Sequence, residues 1–228
     1  MFRTLIFSLT AFSSAFLIKT GLEQFRSSER IVEVRGLSER LVTSNEASWV
    51  ITYSAQGNEL NLTNQQYLKN QKVLLDFFKK LGFTDEEIQK SPANIIDNWA
   101  NYYGNARPPN RTTIRGSVSV NTTKVNEVAK ALDKTDELIQ QGVTFESSTT
   151  NYAFTDLNKI KPEMIKEATA NARESAQQFA NDTESDLGKI KAASQGLFTI
   201  LDANSDYESH QSITKKVRVV TQVSYYLN

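Results

Sequence analysis

The sequence predicts an α+β fold, a mainly antiparallel β-sheet covered by helices, preceded by an N-terminal transmembrane helix. Three observations carry this. Strand-like segments with period-two alternation come in pairs, and helical segments separate the pairs. Residues 157–198 read as one long helix that hands over directly to a strand. Residues 4–18, TLIFSLTAFSSAFLI, form an apolar run without a charge.

The N-terminal run has Arg3 before it and Lys19, Arg26 and Arg30 after it. From Leu5 to Leu22 it approaches the ~20 apolar residues a spanning helix needs, if Lys19 snorkels to the interface. Residues 1–22 are therefore read as a single N-terminal anchor. A cleaved signal is the alternative: Ser13-Ser14-Ala15 offers a small-residue cleavage site, but Phe16, Leu17 and Ile18 carry the apolar run past it. Residues 23–30 are a polar linker, and residues 31–228 are read as one domain.

In chain order, IVEVR at 31–35 is a strand that Gly36 is expected to end. Residues 46–56 alternate, with Ala47, Trp49, Ile51, Tyr53 and Ala55 on one face. A helix over 60–81 aligns Tyr67, Leu74, Phe78 and Leu81, with Leu68 and Leu75 beside them, and Gly82 stops it. Thr84-Asp85-Glu86-Glu87 has capping-box spacing and predicts a short helix through Ile88. Residues 93–103 and 111–122 read as a hairpin with a stiff tip at 104–110. A helix over 124–141 gathers Val125, Val128, Ala129, Leu132 and Ile139 on one side, and Gly142 stops it before a strand from Val143. The long helix then places Ile165, Ala168, Ala172, Ala176, Phe179 and Thr183 on one face. Pro162 is expected near its start and Gly188 at its break. A small-residue face suits a helix lying close on a sheet. The last strand puts Val217, Val219, Thr221, Val223, Tyr225 and Leu227 on one face.

Composition removes several functional classes. Twenty-six basic residues balance twenty-six acidic ones, which argues against nucleic acid as a partner. The absence of cysteine removes disulfides, thiolate nucleophiles and cysteine metal sites. A single histidine, His210, in a polar run argues against a histidine-based triad or multi-histidine metal centre. No cofactor is expected.

The segments RIVEVRGLSE at 30–39, Ala47-Ser48-Trp49, residues 157–198 with LNKIKPEMIKEATANAR, and residues 215–227 resemble the SIMPL-domain family of bacteria, which includes periplasmic immunogenic proteins. The resemblance covers about residues 30–228 and is closest to an anchored, uncharacterised subgroup. Relatives often carry Asp-Ala before the tryptophan strand, where this chain has Glu46-Ala47. The resemblance implies the bacterial inner membrane with the domain facing the periplasm, or the periplasm itself after signal cleavage. It also implies ring-like self-assembly in some relatives and a link to oxidative-stress tolerance in others. It supplies no catalytic motif, so no enzymatic activity is expected. The glycosylation-like triplets at Asn61 and Asn121 carry no weight in a bacterial envelope protein.

Trp99, Tyr102 and Tyr103 near the hairpin tip are candidates for stacking on a sugar or peptide, set against plain cross-strand packing. Asp97 beside Trp99 is a candidate carboxylate for acid–base work that lacks an identifiable partner. Asp133, Asp136 and Glu137 read as a solvated, ion-paired helix face among Lys130 and Lys134, not as cation ligands. Val220 and Tyr226 make the outer face of the last strand more apolar than a solvated face requires. That strand and the one at 31–36 are candidate sheet edges, which points to a homo-oligomer. The function expected is thus a non-enzymatic, membrane-anchored, self-associating envelope domain with a structural or protective role under stress. The alternative is an envelope module that binds a peptide or glycan.

Overall fold

The computed structural model describes residues 30–100, 102, 106–205 and 209–228. The N-terminal anchor or signal lies outside these residues. Among the described residues no helix is long and apolar enough to cross a membrane.

The elements are β1 (Ile31–Thr43), β2 (Glu46–Gly57), α1 (Leu60–Lys80), β3 (Ile88–Lys90), β4 (Asn94–Asp97), β5 (Thr112–Thr122), α2 (Val125–Ala131), a 3₁₀ turn (Leu132–Lys134), α3 (Asp136–Gln140), β6 (Phe145–Ala153), α4 (Leu157–Asp182), β7 (Leu187–Gln195), β8 (Thr199–Asp202) and β9 (Thr214–Leu227). The α+β class is as expected, but the strands form two sheets. One has the order β1-β9-β7, with β8 also on β9; the other has the order β3-β5-β2-β6, with β4 also on β5. The chain divides into two compact units. One takes in the described residues up to Arg40 with Asn158–Thr199 and Val217–Asn228; the other takes in Leu41–Leu157 and Ile200–Lys216.

In the first unit α4 buries Met164, Ala168, Ala172, Ala176 and Ala180. The three central alanines are those the sequence puts on the inner face. The row runs strictly at steps of four, however, so it extends to Met164 and Ala180, not to Ile165 and Phe179. Phe179 is 57% exposed; a ring in that row would hold the helix off the sheet. The closeness this row allows is met from the other side by Gly36. The glycine does not end β1; it lies inside a strand that continues to Thr43. A Cβ built on Gly36 would sit 1.8 Å from the Ala168 carbonyl oxygen and 2.4 Å from the Ala172 nitrogen. Val34, Val223 and Tyr225 complete the small core around Ala172 and Ala176. Polar clamps hold the rim. The Ser38 hydroxyl donates to Glu167 (2.7 Å), the Asn171 amide to the Leu37 carbonyl (2.8 Å), and Arg40 to Glu163 (2.8 Å).

β9 carries the expected alternation, with Val217, Val219, Thr221, Val223 and Tyr225 buried. It is not a sheet edge, because β1 and β7 flank it. β1 and β9 run antiparallel: the Leu227 N–H donates to the Arg30 carbonyl (2.8 Å), while Arg218 meets Glu39 further along. β1 is an edge strand, and β7 forms the other edge. Two expectations about α4 are also corrected. Pro162 lies in its second turn, where the missing N–H leaves the Asn158 carbonyl without its helical donor. The helix stops at Glu184, not Gly188. Glu184 adopts φ 51°, Ser185 N–H reaches the Ala180 carbonyl (2.9 Å) and Glu184 N–H the Asn181 carbonyl (3.2 Å), a Schellman stop without its usual glycine. Gly188 lies within β7.

In the second unit β2 is central, pairing antiparallel with β5 and β6. Its inner residues Trp49, Ile51 and Tyr53 are fully buried with Ile114, Val118 and Val120 of β5 and Leu74, Phe77 and Phe78 of α1. Trp49 meets Phe78 edge-on at 5.1 Å, and Tyr53 stacks on Tyr67 at 5.1 Å. Gly116, opposite Tyr53, leaves room for the Tyr67 hydroxyl, which would lie 2.4 Å from an added Cβ. Leu68, expected beside the inner face of α1, is 51% exposed. Gly82 (φ +89°) and Gly142 (φ +78°) act as the expected stops. The expected short helix at 84–88 is a turn leading into β3. The Thr84 N–H does donate to the Glu87 carboxylate (2.8 Å), half of a capping box, but pairing with β5 takes the backbone from Ile88 onward. The expected helix 124–141 is broken by the 3₁₀ turn. The tighter winding shifts the phase, so Leu138 turns inward and Ile139 is 58% exposed.

The Gly36 contact yields a direct test. Gly36→Ala places a methyl group against helix backbone that cannot swing aside, and is expected to cost at least about 3 kcal/mol. Chemical denaturation checks it; an unchanged midpoint would show that helix and strand are not in this close contact.

Candidate functional site

The hairpin tip differs from its sequence reading. β4 ends at Asp97, so Trp99 lies in the turn that follows and not on a strand. Its indole N–H donates to the Pro108 carbonyl (2.9 Å), and the guanidinium carbons of Arg107 and Arg111 lie 5.4 and 5.8 Å from its ring. Asp97 accepts from Arg111 (3.0 Å) and from the Trp99 N–H (2.9 Å). The Arg111 hydrogen bond, first, and the Trp99 N–H hold its carboxyl below the usual range. Asp97 is therefore a brace for the tip. The Tyr102 hydroxyl accepts from the Ala106 N–H (3.1 Å). Tyr103 lies outside the described residues. Beside the tip is a hollow of about 270 Å³ whose side-chain amides are already hydrogen-bonded. Asn98 donates to the Asn110 carbonyl (3.0 Å) and to Thr113 (2.9 Å), and Asn110 to Gln56 (3.3 Å).

Val220 and Tyr226 of β9 are half-buried. The Val220 carbonyl accepts the Gly196 N–H (2.8 Å), and the Lys191 ammonium lies 5.7 Å from the Tyr226 ring. The pair is thus part of the β7–β9 seam. Glu137 pairs with Lys80 (2.9 Å). Among the described residues no group of three or more acidic or histidine side chains is placed to hold a metal ion. His210 is exposed, and its carbonyl accepts the Tyr152 N–H (2.7 Å).

Two further clusters stand out. The first is an open cleft of about 440 Å³ where β2 begins and β5 and β6 end, lined by Glu46, Ser48, Glu87, Asn121, Thr123 and Asn151 among others. The strand register builds it: Ser48 lies opposite Asn121 on one side and Asn151 on the other. Burial pushes the Glu87 carboxyl upward. Hydrogen bonds from the Thr122 hydroxyl, the Thr84 N–H and Lys124 outweigh this and bring it down to about 2. Glu87 is thereby held ionised and is unsuited to act as a general acid. Glu46, its neighbour in the cleft, accepts from the Thr155 hydroxyl (3.2 Å).

The second cluster is a buried ion pair. Lys215 and Asp202 are 1% and 4% exposed, and the lysine donates to the carboxylate. The other carboxylate oxygen accepts from the Ser209 hydroxyl and from the N–H groups of Gln211 and Ser212 (both 3.2 Å). Burial raises the Asp202 carboxyl, and these donors, Lys215 first, bring it below its ordinary value. Sequence reasoning missed the pair. Its signal was present, because Lys215 is in phase with the buried residues Val217 and Val219.

The model of the family SIMPL, described as a protein of unknown function (DUF541), matches residues 32–224. No curated protein matches the chain.

Glu87 gives a pH-dependent test. Its depressed folded-state value means that its stabilisation is present above the ordinary carboxylate range and is lost as pH falls through about 2. Glu87→Gln is expected to lower the denaturation midpoint at neutral pH and to flatten the loss of stability between about pH 5 and pH 2. Melting curves across that range check it; parallel curves for both proteins would show that Glu87 does not contribute.

Proposed function

The chain belongs to the SIMPL family, and on that premise we propose that it is a non-enzymatic, self-associating domain anchored to the outer side of a bacterial inner membrane. Its role is structural or protective under envelope or oxidative stress. The observation that supports self-association is the outer edge of β1. Arg30 turns its carbonyl toward β9, so odd-numbered residues from Glu33 to Leu41 turn their N–H and C=O groups away from it. Among the described residues, Leu37 gives its carbonyl to Asn171, and no proline in β1 blunts the rest. Leu37 and Leu41 are 38% and 65% exposed beside this edge. A second copy pairing along β1 would satisfy the edge. A peptide- or glycan-binding module is the second reading, favoured by the unengaged polar side chains of the cleft.

Light scattering on a chain beginning at residue 28 is expected to show a mass that rises with concentration. Arg35→Pro removes an outward N–H without touching the β9 side, and is expected to shift that mass toward the monomer. A strictly monomeric wild-type mass at high concentration would reject assembly by the domain. For the anchor, fractionation of cells producing the full chain is expected to leave it in the membrane pellet until detergent is added. A soluble periplasmic chain starting near residue 16 would establish a cleaved signal instead.

A further inference from the structure

We propose that the cleft at the end of β2, β5 and β6 is a binding site for a neutral glycan, held through Ser48, Asn121 and Asn151. The inference rests on the second reading above and not on self-association, because no residue of β1 lines this cleft.

The register fixes the arrangement. Asn121, Ser48 and Asn151 occupy one row across three antiparallel strands, on the face opposite the Trp49 core. Neighbouring strands lie about 4.8 Å apart, so the two asparagines stand roughly 9.5 Å apart with the serine between them. None of these three side chains, nor Thr123 beside them, has a hydrogen-bond partner among the described residues. This is the reverse of the hollow at the hairpin tip, where Asn98 and Asn110 already donate to neighbouring protein groups. A carboxamide offers two donors and an acceptor, and a hydroxyl offers one donor with two lone pairs. Such a row matches a ligand whose own groups both donate and accept, which is the chemistry of sugar hydroxyls.

Charge narrows the class further. Lys124, which bonds the lining residue Glu87 (3.0 Å), is also tied to the Gly82 carbonyl (2.9 Å). No basic side chain lines the cleft, and two carboxylates do, so an anionic ligand is disfavoured. Glu87 has its oxygens occupied by Thr122, Thr84 and Lys124. Glu46 retains acceptor capacity for a sugar hydroxyl beside its contact with Thr155. The volume, about 440 Å³, falls within the roughly 300–1,000 Å³ of small-ligand sites. With alanine methyls and no aromatic ring in the wall, binding rests on hydrogen bonds, and millimolar affinity is expected.

The test is a titration of the full chain, in a zwitterionic detergent that carries no sugar, with N-acetylglucosamine and with maltose, read by amide chemical shifts. Saturable shifts centred on Ser48, Asn121 and Asn151 are expected with at least one sugar. Asn121→Ala and Asn151→Ala, each on an exposed strand position, are expected to weaken that binding roughly three- to tenfold. Thermal melts confirm that both variants fold; should either fail to, Thr123→Ala serves in its place with the same expected weakening. The absence of saturable shifts with both sugars overturns the proposal, as do shifts centred elsewhere or binding unchanged in the folded variants. Equal shifts with calcium chloride or with a neutral dipeptide also overturn it, and would reassign the cleft to a cation or a peptide.

Discussion

The first unit depends on one close approach. Gly36 of β1 lies where a side chain would occupy the same space as the backbone of α4 at Ala168 and Ala172. This is possible only because both partners are small: a glycine in the strand and a row of alanines along the helix. Close contact between small residues gains dispersion and excludes water, but each alanine buries little apolar area. The apolar core here is accordingly thin, drawn from Val34, Ala172, Ala176, Val223 and Tyr225. Charged and polar clamps at the rim supplement it. Ser38, Arg40 and the Leu37 carbonyl all find partners on the same helix. A close helix with a thin core fixes position through backbone fit more than through burial.

The second unit solves its packing with large rings, yet uses the same device at one point. Trp49, Phe77, Phe78 and Phe83 interlock edge to face above β2 and β5. Such a core buries far more area per residue. Where the rings crowd most, beside the stacked Tyr53 and Tyr67, β5 carries Gly116 and the Tyr67 hydroxyl takes the space of its missing side chain. In both units a strand glycine marks a place where something from a helix comes within a side chain's width of the sheet.

That double meaning of glycine sets the limit on what was legible. Gly82 and Gly142 follow helical patterns as stops and have positive φ. Gly36 and Gly188 look the same in sequence and lie inside strands. Local pattern cannot separate a turn from a close approach, because the difference lies in what packs against the residue. Alternation was legible where a strand has one buried face, as in β2 and β9. It could not say that the strands divide into two sheets, or that β9 is interior, since both facts depend on pairing between distant segments. The same reason hid the cleft. Ser48, Asn121 and Asn151 are unremarkable in sequence and become neighbours only through the β2–β5 and β2–β6 registers. The aromatic residues near the hairpin tip are conspicuous in sequence, but Trp99 turns its N–H and its ring to Pro108 and Arg107 of its own loop.

The buried pair of Asp202 and Lys215 is best understood by what it does not supply. A paired charge removed from water gains little over a well-packed apolar pair, because desolvation consumes most of the attraction. Lys215 occupies a position in the β9 alternation that a methionine would fill without such a cost. What an apolar residue would not do is gather a loop. Asp202 sits at the end of β8 and accepts from the Ser209 hydroxyl and the Gln211 and Ser212 N–H groups, drawing the chain back before β9 begins. Lys215 supplies the countercharge that lets the carboxylate stay ionised while buried among these donors. The pair therefore holds residues 209, 211 and 212 in place ahead of β9. Residue 210, ahead of β9, also places its carbonyl on the Tyr152 N–H of β6, the strand at the end of its sheet.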